Sequence, residues 1–141
     1  WHGKQVLELG AGTGIAGLAA AAAGSQVVLT DRWELLPVLE LNCKLNQDIV
    51  ANGPGKVACA EFDWCAPPAS LMTKHWDAVL AADLVYSFNS VEPLADVLAK
   101  LLLVPETTTR VQISELHDGP KSPDGICGAP ADLVVYAHCP R

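Results

Sequence analysis

The sequence has no excess of positive charge. Nine Lys and Arg stand against 16 Asp and Glu, a formal net charge of -7. A surface that neutralises phosphates needs a basic patch, and none is visible, so nucleic acid is not an expected partner. An acidic rim attracts cationic substrates instead. Long apolar runs are missing too. The longest, Ile15 to Ala23, is alanine-rich and far short of the roughly 20 residues of a membrane span, so no membrane partner is expected. No charged-then-apolar signal peptide precedes it. The chain opens at Trp1 rather than at a methionine, so its natural N-terminus, with any targeting signal, is expected upstream. The five cysteines, Cys43, Cys59, Cys65, Cys127 and Cys139, contain no Cys-x-x-Cys pair and are odd in number. That spacing suggests neither a zinc site nor a disulfide framework, and points to reduced thiols in a cytosolic protein. The four histidines have no metal-like spacing either, so no metal is expected. What remains is one domain's length, 141 residues of which half are hydrophobic, enough to bury a core.

The order of patterns is that of an α/β domain. Gln5–Leu9 reads as a strand running into Gly10-Ala11-Gly12-Thr13-Gly14. Strong helix formers follow from Ile15 to Ala23, and Gly24 stops them. Gln26–Thr30 is a β-branched, buried-type strand. Asp31 and Glu34 have capping-box spacing and are expected to open a helix running to about Leu45. Lys56–Phe62 and Asp77–Ala82 are the third and fourth strands. Ser90 can cap a helix from Val91 to about Leu103, whose Val91, Leu94, Ala95, Leu98, Leu101 and Leu102 repeat at helical spacing. Val111–Ser114 looks like a fifth strand. The stretch from His117 to Ala131 is rich in Gly and Pro and reads as a loop, and Leu133–Ala137 as one last strand. Strand-helix alternation of this kind is the beginning of a doubly wound, mostly parallel sheet.

The glycine turn is the first chemical signal. A parallel strand turning tightly into a helix presents free backbone N–H groups, and glycines let a ligand approach them closely. Gly12-Thr13-Gly14-Ile15-Ala16-Gly17 matches the dinucleotide pattern G-x-G-x-x-G, which on its own is unspecific. Glu8 makes the approach acidic. A carboxylate there attracts the cationic amino-acid end of a sulfonium cofactor and repels a pyrophosphate. Asp31, at the end of the second strand, can accept hydrogen bonds from both ribose hydroxyls, or cap the next helix with Glu34, or do both.

These residues also resemble a known family. Val6-Leu7-Glu8-Leu9-Gly10-Ala11-Gly12-Thr13-Gly14, followed by Thr30-Asp31, looks like motif I and its successor in seven-β-strand methyltransferases. Leu39-Glu40-Leu41-Asn42-Cys43-Lys44-Leu45-Asn46 is similar to the Asn-x-x-x-Asn helix of one subgroup. Phe62-Asp63-Trp64 resembles its Asp-Trp motif, and Asp83-Leu84-Val85-Tyr86 its Asp/Glu-x-x-Tyr motif. Together they resemble the methyltransferase-like 21 group of protein lysine methyltransferases, over Val6 to about Leu116. The resemblance implies a Rossmann-like seven-strand fold in which residues 1–116 form the S-adenosylmethionine-binding core and 117–141 a Gly/Pro-rich loop and last strand. Only Trp1-His2-Gly3-Lys4 precedes motif I, and one strand stands where the family has an antiparallel pair, so the fold is expected to be incomplete at both ends.

The resemblance also implies roles. Glu8, Gly10, Ala11, Gly12, Gly14, Asp31 and Ala82 would contact the cofactor; Trp64 would lie against the adenine, and Asp63 would accept from its amino group. Asp83 would hold and orient the substrate amine beside the methyl group, and Tyr86 would wall the lysine channel or pack beneath it. Orienting the amine in line with the S–CH₃ bond supplies much of the rate. The implied partner is a protein presenting a lysine to a monomeric enzyme in the cytoplasm, with the nucleus a second location. A small-molecule acceptor and a catalytically silent cofactor-binding fragment remain alternatives. The Asn42/Asn46 pair reads as local helix structure. A nicotinamide oxidoreductase ranks last, since no Tyr-x-x-x-Lys pair or second domain follows.

Overall fold

Five short apolar runs assemble into one sheet, and their alternation sets what each face buries. The computed structural model describes residues 1–85 and 87–102, together with the backbone of 132–136. The strands are β1 (Gln5–Leu9), β2 (Gln26–Asp31), β3 (Lys56–Glu61), β4 (Ala78–Ala82) and β5 (Asp132–Tyr136). All pair in parallel, in the order β3-β2-β1-β4-β5. The helices are α1 (Ile15–Ala22), α2 (Leu36–Leu45), α3 (Gln47–Ala51), α4 (Ala69–Met72) and α5 (Phe88–Leu102).

Side chains alternate across β1. Val6 joins Ala20, Ala21, Val27, Leu29, Leu39 and Val50 in a core under α1, α2 and α3. Leu7 and Leu9 join Phe62, Trp76, Val79, Leu94 and Val97 in a second core under α5. Both faces of the central strands are therefore covered, which is why they read as continuous apolar runs. Leu7 has no exposed surface, and cutting it to alanine costs about 2–5 kcal/mol by leaving a cavity. The chain winds outward from β1 through β2 to β3, then returns to place β4 on the other side of β1. Connections leaving β1 and β4 diverge, and the carboxyl ends of these strands frame the crevice where such sheets hold ligands.

Several boundaries differ from the sequence expectation. The helix after β2 starts at Leu36, not beside Asp31, because Pro37 in its first turn fixes the entry and Asp31 is still strand. It ends at Leu45, and Asn46 joins it to the separate turn of α3. Helix α5 begins at Phe88, so Ser90 lies inside it; its hydroxyl donates to Ser87 O at 2.7 Å. Leu94 and Val97 are buried while Val91 and Ala95 face outward. The last strand is Asp132–Tyr136, paired with β4 in register Leu80 to Val134. The expected Val111–Ser114 strand and Ala137 lie outside the described residues.

Candidate active site

The turn after β1 is wound by its glycines. Gly10, Gly12 and Gly14 have φ of +58°, +56° and +77°, in the left-handed region that side chains disfavour. At Gly10 the space is also taken: a Cβ there would stand 2.5 Å from Leu84 Cδ2 and 3.4 Å from Trp64 Cζ2. The turn is pinned to β2, with Ala11 N–H donating to Thr30 O at 2.8 Å.

Asp31 completes the pinning. Its Oδ2 accepts from Gly12 N–H and its Oδ1 from Arg32 N–H, each at 2.8 Å. It is buried, with 7% of its surface exposed. The paired capping role with Glu34 is not what the carboxylate does: it turns back to the glycine turn, whose N–H groups are nearer than the helix that starts at Leu36. A carboxylate has about four lone-pair sites, so two N–H partners leave room for ribose hydroxyls.

In front of this turn lies a crevice of about 500 Å³. Gly10, Gly12 and Asp31 line one side, Phe62, Asp63 and Trp64 another, and Asp83 and Leu84 a third. Trp64 is half-buried and Phe62 fully so. Asp63 starts a turn in which its Oδ1 accepts from Cys65 N–H at 2.9 Å. Asp83 is exposed at the end of β4 and has φ of +54°, the one non-glycine positive φ among the described residues. Such a conformation costs up to about 1–2 kcal/mol, less for aspartate, whose short polar side chain tolerates it. Three carboxylates, Asp31, Asp63 and Asp83, thus meet one guanidinium, Arg32, around the crevice.

Glu8 and Ala82 are not in that crevice. They line a second depression of about 300 Å³ with Trp1, Ala16, Ala19 and Leu80. Glu8 shares the face of Val6, so alternation turns it under α1. Its Oε2 accepts from Gly17 N–H at 2.8 Å. Burial pushes its carboxyl up to about 7; the Gly17 bond opposes this and the charge of Asp31 adds to it. Gly17 must lack a side chain, because a Cβ would run into Leu29 and the Glu8 carboxylate. The third glycine of G-x-G-x-x-G is therefore a packing position here, not a phosphate contact.

Ala11 and Gly14 shape the turn without lining the crevice, and Tyr86 lies outside the described residues. The Asn pair is local structure: Asn46 Nδ2 donates to Asn42 O at 2.8 Å. Asn42 also reaches the glycine turn, donating from Nδ2 to Thr13 O at 3.1 Å. Sequence reasoning missed Arg32, Ser87, Asn89 and Pro93, which also line the crevice. Pro93 carried a signal, since a proline inside a helix leaves the carbonyl four residues back, that of Asn89, without its helical donor. Among the described residues no cluster of three or more His, Cys, Asp or Glu could hold a metal ion. No described helix is long and apolar enough to cross a membrane.

A glycine turn at the head of a doubly wound sheet, with a carboxylate closing on it from the next strand, is the arrangement of a Rossmann-like nucleotide-binding fold. The chain superposes with a TM-score of 0.55 on magnesium protoporphyrin IX methyltransferase from Synechocystis PCC 6803, solved with bound SAH, at 19% identity over 71% of this chain and 43% of that one. Within that fold the chain belongs to the lysine methyltransferase family, whose model matches residues 1–114. It is 36% identical over 88 residues to protein-lysine N-methyltransferase rrg1 of Schizosaccharomyces pombe, covering 58% of this chain and 29% of that protein. It is 36% identical over 108 residues to EEF1A lysine methyltransferase 3 of Xenopus tropicalis, covering 77% and 46%. The chain thus spans less than half the length of these relatives.

Proposed function

We propose that this chain is the donor-binding core of an S-adenosylmethionine-dependent methyltransferase whose acceptor is the ε-amino group of a lysine in another protein. The observation that carries the reading is the charge around the crevice, three carboxylates against one guanidinium beside a glycine turn. A pyrophosphate would face net repulsion there, while a sulfonium nucleoside and a lysine ammonium are both cations. Family membership and the named activities of the relatives support the same chemistry.

The crevice residues suit the parts of the donor. Asp31 would accept from the ribose hydroxyls, with the N–H groups of the turn beside it. Trp64 offers an indole for the adenine, and Asp63 has an oxygen to accept from its amino group. The depression holding Glu8 and Ala82 would take the amino-acid end. The bound donor supplies a methyl group on a sulfonium leaving group.

Asp83 has the remaining role. Lysine in water titrates near 10.4, so the amine arrives charged and must lose a proton before it attacks. Asp83 would accept its N–H bonds and aim the lone pair, while the proton leaves to water. The left-handed backbone at Asp83 is consistent with a side chain held for such a task. Tyr86 would form a wall of the lysine channel. The free thiols Cys43, Cys59 and Cys65 fit a reducing compartment, and we place the protein in the cytoplasm or nucleus.

The test is methyl transfer from a tritiated donor in a cell lysate. Label on lysine side chains of a protein is the expected outcome. Label only in small molecules, or none despite bound donor, would remove the lysine assignment.

A further inference from the structure

Spacing in the sequence suggests no pairing among the cysteines, yet two of them meet. Cys43 on α2 and Cys59 on β3 bring their sulfurs to 3.3 Å, linked by a thiol hydrogen bond. Both are free and half-buried, packed against the core under α1, α2 and α3. A disulfide needs about 2.05 Å between sulfurs, so only a small approach separates this pair from a covalent link. Neither thiol belongs to the crevice described above.

We propose that Cys43 and Cys59 form an oxidisable dithiol, a site that reacts with a hydroperoxide and closes to a disulfide joining α2 to β3. The two sulfurs have different parts. Burial pushes the Cys59 thiol up to about 12, aided by its hydrogen bond with Cys43 and by the charges of Cys43 and Glu40. Cys59 therefore keeps its proton and serves as the resolving partner, which leaves the Cys43 sulfur to attack the peroxide. In the first step the Cys43 thiolate forms an S–O bond with one peroxide oxygen and the O–O bond breaks. The departing hydroxide recombines with the proton that Cys43 released, giving water and a Cys43 sulfenic acid. In the second step the Cys59 sulfur attacks the Cys43 sulfur. The S–S bond forms, the S–O bond breaks, and the leaving hydroxide takes the Cys59 proton as a second water. The sulfurs lose two electrons and the peroxide gains them.

The position gives the link a consequence. Asn42, beside Cys43, holds the glycine turn through Thr13 O, and β3 leads directly into Phe62, Asp63 and Trp64. A disulfide here joins the helix that holds the glycine turn to the strand that leads into Phe62, Asp63 and Trp64, and closes a short loop of chain. Loops of this size, when unstrained, raise the melting temperature by roughly 5–10 °C.

The experiment exposes the protein to hydrogen peroxide, blocks remaining thiols with N-ethylmaleimide and maps peptides by mass spectrometry without reductant. The expected product joins the Cys43 and Cys59 peptides with loss of two hydrogens and is reversed by dithiothreitol. In Cys59→Ser the Cys43 sulfenic acid should accumulate and be trapped by dimedone. Exposed Cys65 serves as the internal control. The proposal is overturned if Cys43 and Cys59 both carry maleimide while Cys65 is oxidised, if Cys43 proceeds to sulfinic acid without a cross-link, or if either thiol pairs instead with Cys127 or Cys139. The wild-type map decides by itself should the variant fail to fold.

Discussion

Replacing Glu8 with glutamine keeps an oxygen to accept from Gly17 N–H and removes the charge. In the wild type, burial raises the Glu8 carboxyl from 4.5 to about 7, against the smaller opposing pull of the Gly17 bond. Between those values the folded protein holds a proton that the unfolded chain has released. Stability therefore falls as pH rises through that window and levels off above about 7. At about 1.4 kcal/mol per unit the shift corresponds to about 3 kcal/mol, and residual contact with solvent reduces this to about 2 kcal/mol. Asp77 has the opposite sign. The Gln5 N–H at 2.7 Å and the Lys4 ammonium at 3.2 Å hold it below its ordinary value, so its contribution is lost only on further acidification, outside the Glu8 window. Glu8→Gln should thus be more stable than the wild type at pH 8, by roughly 5 °C in melting temperature. The two proteins should converge near pH 4.5, as read by urea or thermal unfolding at half-unit steps. Parallel curves for the two proteins, or a variant less stable at pH 8, would refute the burial argument. The same substitution should weaken adenosylhomocysteine binding if the amino-acid end of the ligand engages this carboxylate, trading affinity for stability.

Three further substitutions separate binding from turnover. Asp31→Ala removes a charged acceptor from both the glycine turn and the ribose, and should weaken adenosylhomocysteine binding about 10- to 100-fold by calorimetry; unchanged binding would leave Asp31 a purely structural pin. Trp64→Ala should cost about tenfold in the same titration, the size of a lost aromatic stack. Asp83→Asn tolerates the left-handed backbone and should leave both melting temperature and adenosylhomocysteine affinity nearly unchanged while abolishing methyl transfer; retained turnover would take Asp83 out of the reaction.

The parts of the fold that follow local rules were legible in the chain. The β1 strand, the glycine turn, α1 and the parallel character of the sheet came from periodicity and punctuation, and β1 and β4 match residue for residue or within one position. Where the reading failed, a longer-range demand prevailed. Asp31 and Glu34 have cap spacing, yet a buried carboxylate takes the donors that tertiary structure brings nearest, and those sit 19 residues earlier at Gly12. Glu8 precedes the glycines in the chain, but alternation along β1 turns it under α1 into the second depression rather than the crevice that Gly10 and Gly12 line. The strained backbone at Asp83 has no local signature, since nothing in Ala82-Asp83-Leu84 demands a positive φ. The Cys43–Cys59 contact is equally silent, because a helix and an edge strand meet there only after the sheet forms. The Asn42 bond to Thr13 shows the middle case: helical spacing identified the pair with Asn46, but not the second partner across the turn.

The most direct test of the account is a calorimetric titration of the same preparation with adenosylhomocysteine and, separately, with NAD. A crevice lined by Asp31, Asp63 and Asp83 should bind adenosylhomocysteine with a Kd of about 1 μM to tens of μM and give no measurable heat with NAD. Binding of NAD without adenosylhomocysteine would contradict it.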